Sequence, residues 1–280
     1  MIINLQIGIW QGYRLDKEAS KRVTQEAQAD DDAARVNKHL VPKDALKVIN
    51  SAGSALRAHA YRMSLAWKDN GDRILTRKAY TAFIEEHSRL RDAFFAAVDE
   101  FLDRDYPAAM SRAAFRMGGL FNATDYPSVS ELRHKFYVHL DIDPVQTAGD
   151  FRVTMLDEQA DVIKEGIERA MGERVNRAMR DVWDRLAKAV ENFAVRMAGD
   201  SYFKDATIEN IKEIVELLPS LNVLEDPELD RIAKQVSSVL LKCDAKELRA
   251  DKILREQMSD EARQIMDDMH GFMNAFKHAA

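Results

Sequence analysis

Apolar side chains at Ile163, Ile167, Met171, Val175, Ala178, Val182, Leu186, Val190, Phe193 and Met197 return at close to the helical period, which marks one face of an α-helix. The spacing predicts a helix from about 156 to 198, on the order of 60 Å long at ~1.5 Å per residue. That exceeds the usual globular length, while a domain of this size has a radius of gyration of only ~19 Å. Other helices of the chain must cover the stripe end to end, or a second chain must. The most exposed apolar positions are expected toward the C-terminal end. Val190, Phe193 and Met197 are therefore the interface candidates for a homo-oligomer or a protein partner. Gly166 and Gly172 weaken the first half of the helix.

The other segments point to a mostly α protein with a minor β-sheet (α+β). With only 11 Gly and 6 Pro among 280 residues, long helices are easy and a many-turned sandwich is hard. After Pro42 a stripe runs through Leu46, Ile49, Gly53, Leu56, Ala60, Met63 and Trp67, and Asn70-Gly71 stops it. A second stripe runs through Tyr80, Phe83, His87, Leu90, Phe94, Ala97 and Phe101. Matching periods and a short Gly-containing connection predict an antiparallel helical hairpin. A third helix runs from about Pro107 to Gly118-Gly119, and the capping box Ser128 to Glu131 starts a short one.

Strand periodicity appears in segments near 2–10, 137–143 and 151–153, which are expected to form a small sheet. Residues 16–39 read as a mobile or weakly helical connector. Gly199-Asp200-Ser201 is the expected boundary between a helical domain with the small sheet, 1–199, and a C-terminal helical region, 200–280. In the latter, Asp226-Pro227 caps one helix and Ser259 a last one.

Composition excludes several classes. Hydrophobic residues at 46% and charged residues at 31% exclude extended disorder. A net charge of -6 lacks the global basic bias of a dedicated duplex-DNA binder. The single Cys243 excludes an intrachain disulfide framework and reads as a buried thiol behind Val239, Leu240 and Leu241. The first residues carry no basic, cleavable leader and no apolar run approaches the ~20 residues of a membrane span. The expected compartment is the cytoplasm.

Constellations that could carry chemistry are few. His139, Asp141 and Asp143 share one face of a strand segment and form a ligand set for a divalent metal, or simply a solvated strand face. His87, between Phe83 and Leu90, reads as a core-edge histidine or a pH-responsive one. Arg174, Arg177 and Arg180 could meet nucleic-acid phosphates. The interleaved Glu173, Asp181 and Asp184 instead read as a salt-bridged solvated face. GxxxxGK[ST], strand-linked GxGxxG, HExxH and GxSxG are all missing from the sequence, so no cofactor and no catalytic residue is assigned.

Two stretches taken together carry a family likeness. One is Ile7-Gly8-Ile9-Trp10-Gln11-Gly12-Tyr13-Arg14. The other starts at Leu218-Pro219-Ser220-Leu221-Asn222-Val223 and continues through Asp226-Pro227 to Leu248-Arg249-Ala250-Asp251 and Leu254-Arg255. They resemble an uncharacterised phage and plasmid protein family, often encoded near MoxR-type AAA+ ATPases and von Willebrand factor A-domain proteins. The resemblance implies a phage or mobile-element accessory protein in the host cell cytoplasm, working beside an AAA+ ATPase. Sequence and resemblance together favour a non-enzymatic scaffold or adaptor acting through protein–protein contacts. The alternatives are a nucleic-acid-binding accessory of recombination or replication, such as a strand-annealing mediator, and a metal-dependent hydrolase using His139, Asp141 and Asp143.

Overall fold

The computed structural model describes residues 1–145, 157–199 and 203–278, and it is 67% helical with a small antiparallel sheet. The mostly α class with minor β is as expected. In chain order the elements are β1 (Ile2–Gly8), β2 (Tyr13–Asp16), α1 (Lys17–Glu26), β3 (Val36–His39), α2 (Lys47–Met63), β4 (Leu65–Ala66), β5 (Arg73–Ile74), α3 (Tyr80–Glu100) and α4 (Tyr106–Met117). They continue with α5 (Val129–Arg133), β6 (Tyr137–Asp143), α6 (Asp157–Ala198), α7 (Ala206–Leu221), α8 (Pro227–Leu240), α9 (Ala245–Ala250) and α10 (Lys252–His278). Strand order in the larger sheet is β4-β5-β1-β6, and β2 and β3 pair separately. The chain forms two compact units: Met1–Asn4 with Tyr61–Ala82 and Asp141–Ala280, and Leu5–Ala60 with Phe83–Leu140. The division therefore does not fall at Gly199, and the expected segment at 151–153 lies outside the described residues.

The first unit is built on α6. Its stripe of Ala178, Val182, Leu186, Val190, Phe193 and Met197 is buried, together with Trp183. Facing it, α10 contributes Met258, Ala262, Ile265 and Met269 to the same core, joined by Ile211 and Leu218 of α7 and Ile232 and Val236 of α8. The chain thus covers the C-terminal half of its long helix by folding α10 back on it, while Ile163, Ile167, Met171 and Val175 of the first half are only partly buried. Val190, Phe193 and Met197 are 0%, 0% and 1% exposed, which corrects the expectation that the C-terminal stretch presents the open apolar face. Ser259 does not cap a helix: it lies inside α10, and its hydroxyl donates to the Ala194 carbonyl at 3.0 Å. Asp226 does cap α8, accepting the Glu228 amide at 2.9 Å with Pro227 in the first turn. Cys243 is a half-buried free thiol rather than a fully buried one.

The sequence carries the first helical stripe through Trp67 to a stop at Asn70-Gly71, but α2 ends at Met63. The β4–β5 hairpin follows instead, with Leu65 opposite Ile74 and Ala66 opposite Arg73. β1 continues the ladder, with Ile2 opposite Ile74 and Ile3 opposite Arg73. Leu65, Trp67 and Ile74 enter the α6 core. Trp67 continued the helical stripe by spacing alone; in the fold it belongs to this hairpin.

The second unit packs α2, α3 and α4 residues around Ile49, Leu56, Phe94, Val98, Phe101, Tyr106, Leu132 and Phe136. Between α3 and α4 the helix widens to a π segment at Phe101–Asp105. Pro107 lacks an amide hydrogen and its ring would crowd the preceding turn, so a wider turn accommodates it. Gly53 is small because Ile9 lies against it: an added Cβ would stand 2.8 Å from the Ile9 Cδ1. Residues 16–39, expected as a connector, instead hold α1 and β3, which pairs with the preceding β2, and Asp16 caps α1 through the Ala19 amide at 2.9 Å. An ion cluster around the buried Asp125 holds this excursion. Lys38 pairs with Asp125 and lies 3.5 Å from Asp16, and Arg14 meets Asp125 at 3.1 Å. The Asp125 hydrogen bond is the main cause raising the Lys38 pKa.

Candidate functional sites: an arginine-rimmed pocket and an aromatic surface face

In the first unit, the end of α2, the β4–β5 hairpin, α6 and α7 enclose a pocket of about 490 Å³. One side is fixed by Asp181 on α6. Its carboxylate accepts the Ala66 amide at 2.9 Å and takes Arg185, one helical turn on, across both oxygens at 3.1 and 2.8 Å. This two-point pairing sets the guanidinium plane. Arg185 also donates to the Ser64 carbonyl at 2.8 Å and the Arg62 carbonyl at 3.2 Å. Arg73 donates to the Ser64 hydroxyl and carbonyl at 2.8 and 2.7 Å, lies 3.5 Å from Asp181, and stacks under Tyr61 at 4.3 Å. Burial, then the neighbouring Arg185, lower the Arg73 pKa, and Asp181 opposes them. Arginine keeps its charge at neutral pH regardless. With both carboxylate oxygens engaged, Asp181 anchors β4 to α6.

α7 supplies the stripe of Ile214, Leu217, Leu218 and Leu221, and also Asn210 and Glu213. Arg62 meets Glu213 at 3.3 Å, an exposed and therefore weak pair. Four cations (Arg62, Arg73, Arg185, Lys188) and two anions (Asp181, Glu213) line the pocket, a balance of +2.

The second unit carries a different feature. On α4, Phe115 is 97% exposed, and on α2 Val48 is 65% exposed. They border a groove of about 600 Å³ lined also by Pro42, Ala45, Ala108 and Ala109 and by the charged Asp44, Asp105, Arg112 and Arg116. The same unit holds a stack of His59, Phe83 and His87, with ring centroids 5.0 and 5.7 Å apart. His87 is buried, and burial is the first cause lowering its pKa, followed by His59 and Arg91. It matches the core-edge reading.

The sequence-derived candidates are dispersed. Among the described residues no group of three or more His, Cys, Asp or Glu could hold a metal ion, so His139, Asp141 and Asp143 form none. Arg177 is committed to Asp69 at 2.6 Å. Arg174 lines a hollow of about 180 Å³ beside Arg177, Lys68, Asp69 and Glu173, a mixed-sign surface, and Arg180 is exposed on the same helix. The pocket residues Tyr61, Arg73 and Asp181 were not anticipated as a group. Only the Asp181–Arg185 spacing was visible in the sequence. Among the described residues no helix is long and apolar enough to cross a membrane. Comparison with protein-family models, curated proteins and solved structures finds no match to this chain.

Proposed function

We propose that the chain is a non-enzymatic scaffold or adaptor that works through protein–protein contacts, beginning with a second copy of itself. The observation that carries this reading is the nearly complete exposure of Phe115 beside Val48 on a grooved face. A protruding aromatic next to an apolar groove suits a two-fold interface, in which each Phe115 enters the other copy's groove. Charge complementarity favours a second copy as the occupant. Among the described residues the Asp44 carboxylate and the Arg112 guanidinium have no ion-pair partner, and both line the groove. In the proposed dimer, the two-fold axis would bring Asp44 of one copy to Arg112 of the other.

The phage or mobile-element setting and an AAA+ ATPase client belong to the same proposal and rest on the resemblance of residues 7–14 and 218–255. Light scattering on the full chain tests the self-contact. The expected result is a dimer that Phe115→Asp converts to folded monomers. A wild-type monomer at tens of micromolar would overturn it.

A further inference from the structure

We propose that the pocket between α6 and α7 is a binding site for a small amphipathic carboxylate, with an aliphatic or aromatic body and one anionic end. The proposal is independent of the self-association reading, because the pocket lies wholly within the first unit. A cavity of about 490 Å³ falls in the size range of sites that enclose small organic ligands, roughly 300–1,000 Å³. Its chemistry is divided in the way such a ligand requires.

The apolar half is the α7 stripe. Ile214 and Leu217 are only partly buried, though they point inward at helical spacing with the buried Leu218 and Leu221. The chain therefore leaves apolar surface facing a hollow, where a hydrocarbon body would cover it. The polar half lies on α6. Arg185, Lys188 and Asn192 follow one another at three and four residues, so they share a face. Among the described residues Lys188 has no ion-pair partner, and the side-chain amides of Asn192 and Asn210, which line the same pocket, have no hydrogen-bond partner. A carboxylate there would gain the Lys188 ammonium and amide donors in a pocket that already carries a +2 balance.

The rest of the wall is set in advance. Asp181, Arg73, Arg185 and the Ser64–Ala66 backbone are locked together by the hydrogen bonds described above, so binding need not order them. The fixed arginines contribute field. Lys188 and the two asparagines are left to contribute direct contacts. A cationic amphiphile is disfavoured by the same balance, and a purely polar anion gains nothing from the leucine wall.

Isothermal titration calorimetry of the full chain with decanoate, decanol and decyltrimethylammonium tests the assignment. Decanoate is expected to bind with one site per chain, at least ~10-fold tighter than decanol, with no saturable binding of the cation. Lys188→Glu, at an exposed position, should weaken decanoate ~10-fold or more while leaving decanol and the melting curve unchanged. Lys188→Gln should fall between the two. Leu217→Asp should abolish binding of both, with circular dichroism confirming the fold. Phe115→Asp should have no effect on binding. Equal affinity for decanoate and decanol, no saturable decanoate binding, or indifference to Lys188→Glu would each overturn the proposal.

Discussion

Replacing Asp181 by alanine removes one carboxylate that serves the Ala66 amide, both donor nitrogens of Arg185 and the nearby Arg73. Taking one partner from a buried charge pair costs about 3–5 kcal/mol, because the remaining charge is left uncompensated. Here the carboxylate side chain is 25% exposed, and Arg185 and Arg73 are 23% and 12% exposed. Both arginines also keep their bonds to Ser64. Water and those carbonyls absorb part of the loss, so the expected destabilisation is at the lower end, about 3 kcal/mol. Asp181→Asn can still accept from the Ala66 amide but neutralises neither arginine, and should cost about 1.5–2 kcal/mol. Urea denaturation followed by tryptophan emission reads the effect directly. Trp67 and Trp183 are buried in the first unit, and a Trp10→Phe background removes the signal from the second. A loss below ~1 kcal/mol for Asp181→Ala would refute the idea that this carboxylate anchors β4 to α6.

Three further outcomes follow from the packing. Phe193→Ala should cost about 3–5 kcal/mol in the same denaturation assay, since the ring is fully buried. It should leave the oligomeric state unchanged in light scattering, because the residue faces the chain's own core. His87 has a folded pKa below its ordinary value of 6.5, so the unfolded chain takes up protons first. Stability should hold above that pH and fall as the pH drops from about 6.5 through the lower folded value. Urea midpoints at pH 7.5 and 5 should differ less in His87→Phe than in wild type. Burial raises the Tyr106 phenol to about 12, so stability should be full below pH 10 and decline as the pH rises toward 12. Tyr106→Phe should remove that alkaline decline in the urea midpoint, at a cost of about 1 kcal/mol for the lost hydrogen bond to Pro127.

Periodicity made much of the architecture legible. The repeat from Ile163 to Met197 sets the reach of α6, and the second aromatic stripe sets α3, because apolar spacing along one element is a local property. Pairing partners are not local. Nothing in the α6 stripe says that α10 lies along it, so the burial of Val190, Phe193 and Met197 could not be read from their spacing. The short strands β4 and β5 carry no period of their own and exist through pairing with each other and with β1. Ser259 looked like a cap because serine caps helices often, whereas here its hydroxyl bridges α10 to α6.

The candidate sites divide in the same way. The Asp181–Arg185 pair is an i,i+4 contact visible in sequence. Arg73 and Tyr61 reach it from residues far away in the chain, which only the tertiary fold brings together. The exposure of Phe115 is likewise a tertiary fact: its helix buries Ala109 and Ala113 and turns the ring outward.

A charge swap tests the self-complementary face most directly. In the proposed two-fold dimer, Asp44→Arg and Arg112→Asp should each, alone, place like charges across the axis and give monomers by light scattering. The double variant should restore the dimer, since each copy again presents one acid and one base to the other. Single variants that associate like wild type, or a folded double variant that stays monomeric, would contradict the account.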